Sequence, residues 1–101
     1  MKKSKRWVCK KYTDWVKTLP SVMSLFPSDD PHHITGVIKS GMGMRIHDLF
    51  TIPLTRDEHQ KIHLDQKLLN KQLNTNQAEE CIKTINQALN EGLIEIKWVG
   101  K

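Results

Sequence analysis

The sequence predicts an α+β fold, and three observations carry that expectation. Two short extended stretches, residues 33–38 and 48–54, flank a glycine-rich segment. A strong helix-start signal follows at once, at Thr55-Arg56-Asp57-Glu58. A second helical stretch then carries Ala78, Ile82, Ile85 and Leu89. The chain has 101 residues, which suits one domain, 1–101, with a small core. A domain of that size buries roughly two-thirds of the surface its unfolded chain exposes.

In chain order, residues 10–18 predict a short helix that Pro20 ends. Residues 21–31 predict irregular chain, with Pro27, Asp29, Asp30 and Pro31 as turn signals. Residues 33–38 predict a strand entering Ser40-Gly41-Met42-Gly43, and residues 48–54 a second extended piece stopped by Pro53. Thr55 and Glu58 fit the two ends of a capping box, with acidic residues where the helix dipole favours them. That helix is expected to run to about Leu73, with Ile62, Leu69 and Leu73 on one face. Asn74-Thr75-Asn76 breaks it, and Gly92 ends the last helix. Residues 93–99 alternate like a half-buried strand. No repeat, low-complexity tract or linker divides the chain.

Charge is uneven. Residues 1–17 hold seven lysines and arginines against Asp14 alone, whereas the remainder nearly balances. With Trp7, Tyr12 and Trp15 interleaved, such an arm can grip phosphates and stack on bases. The same pattern fits a solvated tail leading into a helix whose aromatics are core. No apolar run is long enough to span a membrane. After the basic opening MKKSKR, charge returns before any apolar core forms, so a secretory signal is not expected. Cys9 and Cys81 form no C-x-x-C and no disulfide framework, which predicts a reducing, cytoplasmic setting.

Five histidines stand out: His32, His33, His47, His59 and His63. His59 and His63, at i and i+4, share one face of a helix in a known chelate spacing. Alone, either pair fits solvated or hydrogen-bonded imidazoles. Together they place ligands at the start of a hairpin and in the first turns of a capped helix. Neighbours in extended chain point to opposite sides. One of His32 and His33 can then face a metal while the other faces a different point nearby. A hydrolytic centre needs that division, since one group holds the ion and another takes a proton from water.

DDPHHITG at 29–36, GMG followed by HDLFTIPL, and R-x-x-H-x-x-x-H occur here in order. Tyr12-Thr13-Asp14-Trp15-Val16 and Leu19-Pro20 precede them. With these motifs, residues 19–65 resemble phage-type HNH (His-Me finger) nucleases, most closely the Ref-like recombination-associated group. The resemblance implies a ββα-metal core over 19–73. A basic arm and short helix at 1–18 would precede it, and a helix and strand at 74–101 would follow. It matches His33 to the general base, His32 to the adjacent metal ligand, His59 to the helix ligand and His63 to a further helix ligand. Asp48 stands where the broader superfamily has the asparagine that orients the base, and a carboxylate can hold that imidazole equally. The implied activity is DNA cleavage with one divalent ion, Mg²⁺ or Mn²⁺ in the cell. Ni²⁺, Co²⁺ or Zn²⁺ also suit histidine-rich ligation. Lys2, Lys3, Lys5, Arg6, Lys10, Lys11, Lys39 and Arg45 would neutralise DNA phosphates. Phage or prophage recombination, with a recombinase as partner, is the implied setting.

Relatives in that group carry a structural zinc on a C-x-x-C after the Leu-Pro and a cysteine and histidine leading into the helix. This chain has Ser21 and Ser24, then Thr55 and Glu58, at those places. No structural zinc is expected. The capping box is expected to secure the helix start instead, with Val22, Met23, Leu25 and Phe26 packed where the zinc knuckle would be. Two other readings compete: a non-catalytic nucleic-acid-binding module on a degenerate HNH fold, and a small regulator that binds a protein through its arm and last helix.

Overall fold

A computed structural model describes residues 6–38 and 46–100. Its centre is an antiparallel hairpin of β1 (Asp30–His33) and β2 (Thr51–Leu54). Pro31 faces Pro53, and His32 faces Ile52. Prolines have no N–H to give, so placing both at one register position spares the flanking ladder. β2 leads directly into α2 (Arg56–Leu64), and the capping box is formed. The Glu58 N–H donates to Thr55 Oγ1 at 3.2 Å, and the Thr55 N–H donates to Glu58 Oε1 at 3.0 Å. α1 (Lys10–Val16) precedes the hairpin, and α3 (Leu68–Leu73) and α4 (Gln77–Asn90) follow α2. The fold is α+β, with four helices and one two-stranded sheet among the described residues.

Several boundaries differ from the sequence expectation. β1 begins earlier, at Asp30, and residues 35–38 leave the sheet. The Thr35 N–H donates to the side chain of Gln77 at 2.8 Å instead of to a strand, and Gly36 then turns the chain at φ +73°. Pro53 lies inside β2 and does not stop it. The helix expected to reach Leu73 is broken at 65–67. There the Asp65 carboxylate accepts the Lys67 N–H (3.1 Å) and Lys71 Nζ (2.7 Å), a local bond that competes with helix continuation. Ile62 and Leu69 are buried as expected, but Leu73 is exposed.

α4 starts with Asn76 as N-cap and ends in a Schellman motif. Gly92 sits at φ +72°, its N–H donates to Leu89 O at 3.1 Å, and the Leu93 N–H reaches Ala88 O at 3.0 Å. Its buried stripe is Gln77, Cys81, Thr84 and Ala88, one position before the expected apolar one, and Ile82 is exposed. Buried polar contacts of Gln77 hold the first turn in that rotation. Residues 93–99 form no strand, because no other strand runs beside them among the described residues. In the 21–26 loop Val22 and Met23 pack on the core, whereas Leu25 and Phe26 are exposed. Ser21 is the buried member, and its Oγ accepts the Met23 and Ser24 N–H groups, which turns the next residues outward.

The main core joins Ile34, Ile52, Leu54, Ile62, Leu69 and Cys81. A second cluster holds Tyr12, Val16 and Ala88, with Trp15 and Leu49 against it. Tyr12 and Trp15 therefore serve packing, and Trp7 is the more exposed aromatic of the arm. Among the described residues no helix is long and apolar enough to cross a membrane.

Candidate metal centre

The alternation of β1 sends His32 and His33 to opposite sides. His32 is fully buried. Its ring meets those of His59 and His63 edge-on, with centroids 4.7 and 5.2 Å away. One turn of α2 stacks His59 on His63, centroids 4.8 Å apart. One nitrogen from each of the three rings lies within 4.8 Å of the other two.

Each of two rings is held from behind. His59 Nδ1 lies 3.0 Å from Asp30 Oδ2. A carboxylate oxygen accepts, so Nδ1–H donates and Nε2 carries the lone pair, which faces His63 Nε2. His32 Nε2 lies 3.1 Å from Gln77 Oε1. The orientation of that amide is fixed twice over. Oε1 takes the Thr35 N–H at 2.8 Å, which only an oxygen can do, and Nε2 donates to Gln66 O at 3.2 Å, which only a nitrogen can do. His32 Nε2 must then be the donor. Its lone pair is on Nδ1, which is buried and has no hydrogen-bond partner. Burial pushes the His32 imidazole down to a pKa of about 4, against the Gln77 hydrogen bond and helped by the neighbouring histidines. It is neutral at physiological pH, the form that binds metals.

The residues fit a divalent ion. Metal–imidazole bonds are about 2.0–2.1 Å, so two nitrogens sharing one ion lie roughly 3.0–3.4 Å apart. His59 Nε2 and His63 Nε2 are 3.1 Å apart. The orphaned Nδ1 of His32 supplies a third donor that otherwise carries an uncompensated burial cost.

On the other side, His33 Nε2 lies 2.9 Å from Asp48 Oδ1. Asp48 is buried, and it also accepts Arg6 Nη2 at 2.8 Å and the Cys9 N–H at 2.9 Å. Burial alone would raise the pKa of Asp48, but His33, the Cys9 N–H and the Arg6 guanidinium together hold it below the usual carboxylate range. His33, Asp48, Arg6, Asp30, His59 and His63 open onto one cleft of about 830 Å³.

The expected phosphate contacts fare unevenly. Arg6 engages Asp48 and Ile46 O (2.8 Å). Lys10 is exposed and pairs with Asp14 at 2.7 Å, and Lys11 is exposed. Lys2, Lys3, Lys5, Lys39 and Arg45, and the segment 40–43, lie outside the described residues. His47 stands apart from the cluster and accepts the Trp7 N–H at 2.6 Å. Asp30 and Gln77 were not anticipated. Asp30 had a legible signal, since it lies two positions before His32 on the same strand face. Gln77 had none, because its contact crosses 45 positions.

Ser21, Ser24, Thr55 and Glu58 do converge. The Glu58 carboxylate accepts the Ser21 hydroxyl and the Thr55 N–H. Burial pushes its pKa up, but Ser21, Ser24 and Thr55 outweigh that and hold it low. The cluster contains no thiol and no imidazole.

A family model described as "Protein of unknown function (DUF968)" matches residues 1–92, a span that includes every residue of the site. The chain is similar to the uncharacterized protein YdfU of Escherichia coli strain K12, with 41% identity over 92 residues. That alignment covers 91% of this chain and 26% of YdfU, so the chain spans about a quarter of that relative's length. No solved structure matches.

Proposed function

The chain belongs to the DUF968 family, and we propose that it is a divalent-metal-dependent DNA endonuclease of the HNH (His-Me finger) type. The observation that carries this reading is the division of labour between two adjacent residues. His32 joins His59 and His63, while His33 bonds Asp48, and the His33 side and the α2 histidines share one cleft.

His32 Nδ1, His59 Nε2 and His63 Nε2 would hold one ion. When bound, the ion supplies positive charge to the scissile phosphate and its departing oxygen. Mg²⁺ or Mn²⁺ is the proposed cellular ion, and Ni²⁺, Co²⁺ or Zn²⁺ suit the same imidazoles. Because Asp48 accepts from His33 Nε2–H, His33 Nδ1 is the ring's free acceptor and takes the proton from an attacking water. Asp48 keeps the ring in that tautomer, and Arg6 and the Cys9 N–H keep Asp48 in place. The exposed lysines of the arm would meet the phosphates. A cytoplasmic role in phage or prophage DNA recombination or processing, beside a recombinase, extends the same reading.

Nicking of supercoiled plasmid with Mg²⁺ or Mn²⁺, and none with EDTA, is the expected result. His33→Ala should cleave far more slowly while still binding DNA. Unimpaired cleavage by His33→Ala overturns the assignment. DNA binding with no cleavage in either metal would favour a non-catalytic nucleic-acid-binding module instead.

A further inference from the structure

The sequence motifs end at α2, yet α4 sends one side chain back to them. Gln77, the first residue of α4, is 3% exposed and makes contacts on three sides. Its Oε1 faces His32 Nε2 at 3.1 Å and takes the Thr35 N–H at 2.8 Å, and its Nε2 donates to Gln66 O at 3.2 Å. His32 has no other hydrogen-bonding group on either ring nitrogen.

We propose that Gln77 is a positioning residue of the metal centre: it fixes the protonated nitrogen of His32 and so presents Nδ1 as a ligand. This rests on the metal-site reading above. Without an acceptor at position 77, nothing in the pocket selects between the two tautomers of His32. The proton can then sit on Nδ1 and block the ligand atom. The ligand set is consequently mixed. His32 uses Nδ1, with an amide behind it. His59 uses Nε2, with the Asp30 carboxylate behind it. Outer partners of this kind typically contribute 10–100-fold to metal affinity.

The test uses the full chain and Zn²⁺ as probe. Two-dimensional ¹⁵N–¹H spectra of the metal-free protein should show His32 as the Nε2–H tautomer. A His32 that carries its proton on Nδ1 in the native protein overturns the proposal without any variant. Calorimetric Zn²⁺ titration should show affinity falling 10–100-fold in Gln77→Met, which keeps the volume and removes the acceptor. Gln77→Glu loses the donor to Gln66 O but puts a carboxylate, a stronger acceptor, behind the same ring, and should keep the wild-type tautomer and raise the affinity. A purely structural role would lower the melting temperature of both variants and leave the affinity of the folded protein unchanged, which also overturns it. Should Gln77→Met fail to fold, the tautomer of native His32 and the affinity of Gln77→Glu still decide. The two readings fail differently. Wild type that binds no Zn²⁺ removes the metal site and the role of Gln77 together. Zn²⁺ binding that needs His32, His59 and His63 but ignores position 77 removes the role of Gln77 alone.

Discussion

Asp48 accepts a hydrogen bond from His33 Nε2 at 2.9 Å and shares that same oxygen with Arg6. The pair therefore behaves as one unit, with Asp48 acting only through the ring it holds. His33→Ala should slow cleavage by about 10²–10⁴, the usual cost of losing a general base. Asp48→Asn should also slow it. The double variant should be no slower than His33→Ala, because residues that act as a unit are not additive. Single-turnover rates at saturating Mn²⁺ measure this, and additive losses would contradict it.

Arg6 bears on Asp48 rather than on open solvent. Arg6→Gln should lower the cleavage rate more than it lowers DNA affinity. The salt dependence of binding should stay near the wild-type slope, which a lost phosphate contact would reduce. Filter binding across a salt series, beside the cleavage rate, checks both.

The pH behaviour of the metal-free protein follows from His32. Its imidazole titrates near 6.5 when unfolded and at about 4 when folded. Between these values the unfolded chain binds more protons, so stability falls as pH drops. The contribution is fully present above pH 6.5 and lost by pH 4, about 3 kcal/mol in all. Urea melts in EDTA should show that slope, and His32→Gln should flatten it.

Metal binding should appear as stability. Zn²⁺ at a hundred times its Kd should stabilise the wild type by about 2.7 kcal/mol. His59→Ala and His63→Ala should lose at least the ~10–100-fold in affinity that an outer partner contributes, and at the same Zn²⁺ concentration the shift should fall to about 1.4 kcal/mol or less. Thermal melts with and without Zn²⁺ make the comparison.

At the start of α2 the Glu58 carboxylate accepts the Ser21 hydroxyl and the Thr55 N–H, and the expectation is that no ion is needed there. Thr55→Ala should cost about 1 kcal/mol. A chain with His32, His59 and His63 all changed to Ala should purify without zinc. Tightly held stoichiometric zinc in that variant would count against the assignment of Ser21, Ser24, Thr55 and Glu58 as a metal-free cluster.

What the sequence made legible was local. The capping box at Thr55 and Glu58 is a four-residue signal, and it formed. His59 and His63 share a helix face because 3.6 residues make a turn. His32 and His33 part because a strand alternates. The failures were of two kinds. Asp65 broke a helix that apolar periodicity had continued, since a side-chain-to-backbone bond is invisible to a hydrophobic pattern. α4 faced inward one position early, because a buried glutamine outbid the isoleucine stripe. Its rotation was set by partners on β1 and in the α2–α3 linker, which no window along the chain contains.

The support of the site comes from both flanks of the histidine motifs, Arg6 from before them and Gln77 from beyond. All three clustered histidines have left the ribosome once His63 has, yet Gln77 is made afterwards. Contacts that span 42 and 45 positions are also slow to close, since distant chain segments must first be brought together. A growing chain thus carries its histidines for a time without Gln77, the partner of His32. The order of synthesis itself delays the moment at which the histidine cluster is fully braced.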